Sequence, residues 1–182
     1  MKNKGIPILF LILAIVLTSC VKDLDFDQTK DFESKPVYTA TILYFDLTQR
    51  NFVSGNFEIG TVSDTLDFSL LSNEVFQKQL EKVELRFKIS NEFNRGFRIE
   101  LDFLDKNFLP VQHIDPLEIP AVTSDFEQRI PIVIKDSPLF LTANKLKINI
   151  QLKPSSDGSI ININQEKKLS FKSSADFYIK IE

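Results

Sequence analysis

Tryptophan is absent from the 182 residues, and cysteine, histidine and methionine each occur once. A single cysteine, Cys20, excludes an internal disulfide, so the fold depends on its own core. One histidine and one cysteine cannot supply an ordinary zinc ligand set, so no metal is expected. Only five glycines are present, and none forms a glycine-rich phosphate loop, so no nucleotide or other cofactor is expected. A basic excess is also lacking. The formal net charge is −3, with no basic cluster, which argues against a nucleic-acid partner. Long apolar runs are missing too. The longest extends from Ile6 to Leu17, short of the roughly twenty residues that a membrane-spanning helix needs.

What is present begins with that run. Lys2 and Lys4, the apolar stretch and the small residues after it have the layout of a secretory signal peptide over residues 1–19. Its removal takes away two lysines and leaves 20 basic against 25 acidic groups, a net of −5. Leu17-Thr18-Ser19-Cys20 resembles the bacterial lipobox. The resemblance implies that the Cys20 thiol receives a diacylglyceryl group and becomes the new N-terminus after cleavage. Two or more acyl chains, at ~0.8 kcal/mol per buried methylene, hold a protein stably at a membrane. The membrane partner is therefore reached through the lipid. Residues 20–36 read as an acidic, lipidated tether. Asp23, Asp25 and Asp27 imitate the start of a calcium loop, but Gln28 and Ser34 stand where glycine and glutamate are needed, so no calcium site is expected. Lys22-Asp23 resembles the acidic export signal of Bacteroidota surface lipoproteins, which points to the outer membrane, on its periplasmic or surface face.

From residue 37 to 182 the chain alternates apolar and polar residues with period two. The clearest stretch is 82–90, which turns Val83, Leu85, Phe87 and Ile89 inward. Residues 97–103 and 146–152 repeat the pattern. Further strands are expected near 37–45, 52–59, 65–70, 129–134, 160–164, 169–171 and 175–181. Asn94-Arg95-Gly96 and Asp157-Gly158 read as hairpin turns. Ser72–Glu81 reads as one short helix behind a serine cap, with Val75, Phe76 and Leu80 as core contacts. The expected fold is all-β, an immunoglobulin-like two-sheet sandwich with one short helix. A small β-barrel is the alternative. The 17 phenylalanines favour a packed aromatic core, because the ring carries no polar handle for a wet interface.

Little chemistry is legible. His113, in Gln112-His113-Ile114-Asp115-Pro116, reads as part of a solvated turn, and no Gly-x-Ser-x-Gly elbow presents a serine. Glu84, Glu100 and Asp102 occupy the polar phase of strands and read as exterior rather than as a glycosidase pair. No catalytic residue is assigned and no enzyme is expected. Tyr38, Tyr44 and Tyr178 are the aromatic residues on which a glycan could stack, but they fall within strand patterns. A partner in the cell envelope, met by strand addition at an exposed edge, ranks above a glycan. The lipobox, the tether and the run from Leu85 to Asp105 together resemble small lipoproteins of Bacteroidota. The later stretch is similar to the sandwich of desiccation-related, late-embryogenesis-abundant proteins. Neither resemblance carries over a functional residue.

Overall fold

Apolar residues that alternate with polar ones bury one face of each strand, and two sheets meet on those faces. The computed structural model describes residues 35–55, 57–155 and 157–181. The strands are β1 (Val37–Thr48), β2 (Val53–Ser54), β3 (Phe57–Glu58), β4 (Thr61–Asp67), β5 (Leu80–Asn91), β6 (Phe97–Leu104), β7 (Pro110–Ile119), β8 (Thr123–Val133), β9 (Lys145–Leu152) and β10 (Lys168–Ile179). Two four-stranded antiparallel sheets have the orders β1-β10-β5-β8 and β4-β9-β6-β7, and β2 and β3 form a small ribbon. The sheets stay open, so the sandwich expected from the sequence is formed.

Leaving aside the ribbon, the first strand pairs with the eighth, the second with the seventh, the third with the sixth and the fourth with the fifth. This nested pairing is one long hairpin rolled onto itself, the connectivity of a jelly roll. It differs from the immunoglobulin order. Asn94-Arg95-Gly96 therefore joins β5 to β6 across the two sheets, not within a hairpin, and the segment around Asp157-Gly158 crosses from β9 to β10. Local alternation sets which face of a strand is buried but not which strand lies beside it.

The inward residues of the strongest strands are those the alternation selects: Val83, Leu85, Phe87 and Ile89 of β5 are buried. Phenylalanines fill the interior in three groups. Phe52, Phe93 and Phe97 meet at one end, with ring centroids 5.1–5.8 Å apart. Phe45 and Phe87 flank Phe171 at 4.9 and 5.9 Å. Phe68, Phe103 and Phe140 meet at the opposite end, where each closest pair is 5.0 Å apart.

Several weaker expectations change. Residues 110–119, left without a strand, form β7, and 160–164 form no strand. The expected pieces at 169–171 and 175–181 are one strand, β10. The helix, α1, is short, spanning Glu74–Gln79, and its cap is Asn73 instead of Ser72. The Asn73 side chain accepts the Val75 N–H at 2.8 Å. Leu80 already belongs to β5, and Val75 is exposed rather than a core contact.

Candidate functional site

The lipobox residues Leu17, Thr18 and Ser19, the lipid-attachment residue Cys20, and Asp23, Asp25 and Asp27 lie outside the described residues. Among the described residues no group of three His, Cys, Asp or Glu side chains is placed to hold a metal.

His113 sits within β7, not in a turn. Its Nδ1 lies 2.6 Å from Oδ1 of Asp102 on the neighbouring β6, so its carboxylate partner is not the adjacent Asp115. Both belong to the outer face of the second sheet, beside a charged lattice. Arg98 donates to Glu100 at 2.9 Å and to Glu118 at 2.7 Å, Lys153 reaches Glu118 at 2.6 Å, and Asn149 donates to Glu100 at 3.1 Å. The Arg98 hydrogen bond, followed by that of Asn149, holds Glu100 below the usual glutamate range. Lys153 does the same for Glu118. The carboxylates therefore stay ionised and mutually neutralised, a state suited to a solvated exterior and poor for proton transfer near neutral pH.

The sheet edges are more informative. β7 and β8 edge one side of the sandwich, and both carry proline: Pro110 and Pro116 in β7, Pro131 in β8. Proline removes a backbone donor and blunts an edge. β1 and β4 edge the other side. β4 is seven residues long and holds Asp64 and Asp67. β1 is twelve residues long, and from Val37 to Phe45 it has neither proline nor charge. Its one irregularity is at Ile42, the extra residue of a bulge between Thr41 and Leu43. Between β1 and β4 the sheets part to leave an apolar slot of about 280 Å³, lined by Leu43, Phe45, Leu47, Val62, Leu66 and Ile150 among others. Among the described residues no strand pairs with the outer side of β1, and an open edge beside an apolar slot can take an extended peptide: the edge supplies hydrogen bonds, and the slot takes alternate side chains. The sequence signalled a strand at 37–45, through its β-branched and aromatic residues, but not that it is an edge. Nor did it signal the slot, which is assembled from β1, β4 and β9, strands far apart in the chain.

A second concavity lies at the end of the sandwich where β1 begins. An open groove of about 640 Å³ is lined by Leu109, Val111, Leu139, Leu141, Lys106 and Gln77 among others. Gln77 of α1 ties its wall together, donating to the carbonyls of Leu71 at 2.6 Å and Leu141 at 2.8 Å. In the β6–β7 loop the Asp105 carboxylate accepts the N–H groups of Leu109 at 2.9 Å and Asn107 at 2.8 Å, bonds that lower its pKa. The same turn puts Phe108 at φ 63°, a left-handed conformation unusual for a large residue. Lys145 stands 5.0 Å from the Phe108 ring and 2.8 Å from Asp67.

Comparison with known proteins adds a fold likeness. No family model and no curated protein matches the chain. Among solved structures it is similar to a protein of Parabacteroides distasonis, a member of the Bacteroidota, provisionally classed as secreted. That match has 16% identity and a TM-score of 0.51, over 64% of this chain and 37% of that one. Looser matches are the infectious bursal virus T=1 particle protein and tailspike protein 4 of bacteriophage CBA120. The first has 12% identity and a TM-score of 0.43, over 80% of this chain and 32% of that one. The second has 13% identity and a TM-score of 0.40, over 81% and 19%. The chain thus spans well under half the length of these structures, and the first likeness supports the sandwich fold alone. Among the described residues no helix is long and apolar enough to cross a membrane.

Proposed function

We propose that this chain is an outer-membrane lipoprotein, anchored through lipid on Cys20, whose sandwich binds an extended segment of another envelope protein along β1 and has no catalytic task. The location rests on the N-terminal layout, in which the apolar run ends at Leu17-Thr18-Ser19-Cys20. The binding role rests on one observation: an uncharged, proline-free edge from Val37 to Phe45 borders an apolar slot, while the opposite two edges carry proline. A glycan-binding role has less to stand on, because each tyrosine ring already meets a neighbour, although Tyr38 and Tyr44 remain more than half exposed. Lys82 caps Tyr178 at 3.8 Å, Lys172 lies 5.4 Å from the Tyr44 ring, and Tyr38 packs edge-on to Phe76 at 6.5 Å.

Two measurements test the halves separately. The mass of the mature N-terminus from membranes should show a lipidated Cys20, and Cys20→Ala should lose both the lipid and membrane retention. A photocrosslinking residue at Thr41, which is exposed on β1, should capture a discrete envelope protein in intact cells. A residue at the same exposure on β8, such as Glu127, should not. Equal capture at both positions, or none at Thr41, would remove the binding role.

A further inference from the structure

In a sandwich, one phase of each strand meets the opposite sheet, and that phase is kept free of charge. β4 breaks the rule. Val62, Asp64 and Leu66 share its inward phase, opposite Ile150, Ile148 and Leu146 of β9. Val62 and Leu66 are half-buried, but Asp64 is exposed. Among the described residues Asp64 is the one charge in the inward phase of the eight long strands. It is also the one charged residue lining the slot between β1 and β4.

The other aspartates of these two strands have lysine partners: Lys168 lies 3.7 Å from Asp46, and Lys145 lies 2.8 Å from Asp67. Among the described residues no basic side chain pairs with Asp64. Its Oδ1 accepts the Thr65 N–H at 2.7 Å, so a main-chain donor of β4 is already used. An inward charge on an edge strand guards it against pairing with another chain, but that task needs no particular sign. A carboxylate at the mouth of an apolar slot does more, because a single polar group decides which ligand the apolar walls accept.

A segment added to β1 sends alternate side chains into the slot, about 7 Å apart along the strand. Those over Leu43, Phe45 and Leu47 meet apolar walls. One that reaches across to β4 meets Asp64. Lysine or arginine suits that place, since its apolar stem can cover Val62 and Leu66 while its head meets the carboxylate. We infer that Asp64 selects the bound segment, which carries a basic residue two positions from an apolar one. The inference rests on the strand-addition role proposed above and names the chemistry of its partner.

The full chain, solubilised in detergent and immobilised, can be panned against a display library of random linear peptides. Wild type should enrich peptides with lysine or arginine two residues from an apolar side chain. Asp64→Asn is nearly isosteric and keeps the acceptor for Thr65, so the fold is not at stake. It should keep the apolar preference, lose the basic one and bind a selected wild-type peptide about tenfold more weakly. Asp64→Lys should turn the preference towards aspartate and glutamate, a reversal that a mere edge guard would not produce. An apolar preference without a basic one, or a basic preference that Asp64→Asn leaves unmoved, overturns the inference and spares the strand-addition role. If wild type enriches no peptide, that role fails and the inference falls with it.

Discussion

Three residues show how polar chemistry is made to fit a core with no disulfide. Asp176 is buried in the middle of β10, where the Thr39 hydroxyl donates to it at 2.5 Å and Arg86 pairs with it. The Thr39 hydrogen bond, more than the Arg86 charge, lowers its pKa. A carboxyl whose folded pKa is depressed contributes stability above the usual aspartate value, near 4, and loses it as the pH falls through the lower folded value. Asp176→Asn should therefore cost about 2 kcal/mol at pH 7. The gap between the two proteins should close below pH 4, as thermal melts across pH would show. Arg95 is 7% exposed and gathers the far end. It donates to the Lys153 carbonyl through Nε at 2.7 Å and to Glu58 at 2.9 Å. Glu58 in turn accepts the Ile161 N–H at 2.6 Å. Removing the guanidinium leaves Glu58 half-buried and uncompensated, so Arg95→Met should lose about 3 kcal/mol in denaturant unfolding. Gly96 beside it is required by space: an added Cβ would lie 2.8 Å from the Ile119 carbonyl oxygen.

At the scale of elements, legibility followed burial on one face. β5, β6 and β9 alternate cleanly because each has a neighbour on both sides and one solvated surface. β7 escaped notice because Pro110 and Pro116 read as loop residues. Its apolar phase also slips at a bulge, where Asp115 and Pro116 together oppose Glu100. Ile114, Leu117 and Ile119 were the available signal, spaced three and two apart. The helix was placed correctly but lengthened, since Leu80 fits a helical stripe as well as the first inward position of a strand. Its true cap predicts that Asn73→Ala costs about 1 kcal/mol. Of the candidate surfaces, the β1 edge was readable as a strand rich in Val, Thr, Ile and Tyr. That it stays unpaired depends on long-range order. A lysine is a natural guard for such an edge. Val37→Lys, at an exposed position of the same edge, should leave stability within about 0.5 kcal/mol while weakening the crosslink expected from position 41.

The molecule as a whole is organised by its nested pairings. Thr39 hydrogen-bonds Asp176 across 137 positions, and β10 lies between β1 and β5. A sheet built from such distant partners should fold in milliseconds to seconds rather than microseconds, which stopped-flow refolding can check. Deleting residues 169–182 should abolish the thermal transition entirely, because Phe171 and Phe177 leave the core and β1 loses its neighbour.

The position of β10 carries a consequence for biogenesis. β10, the strand that joins β1 to the rest of its sheet, is the last of the described strands in chain order. Until it emerges, β1 and β5 face a gap that neither can close. This arrangement acts as a built-in timer on the order in which the strands can assemble. Connectivity alone postpones the closed sandwich until β10 has been made, however early the other strands are available.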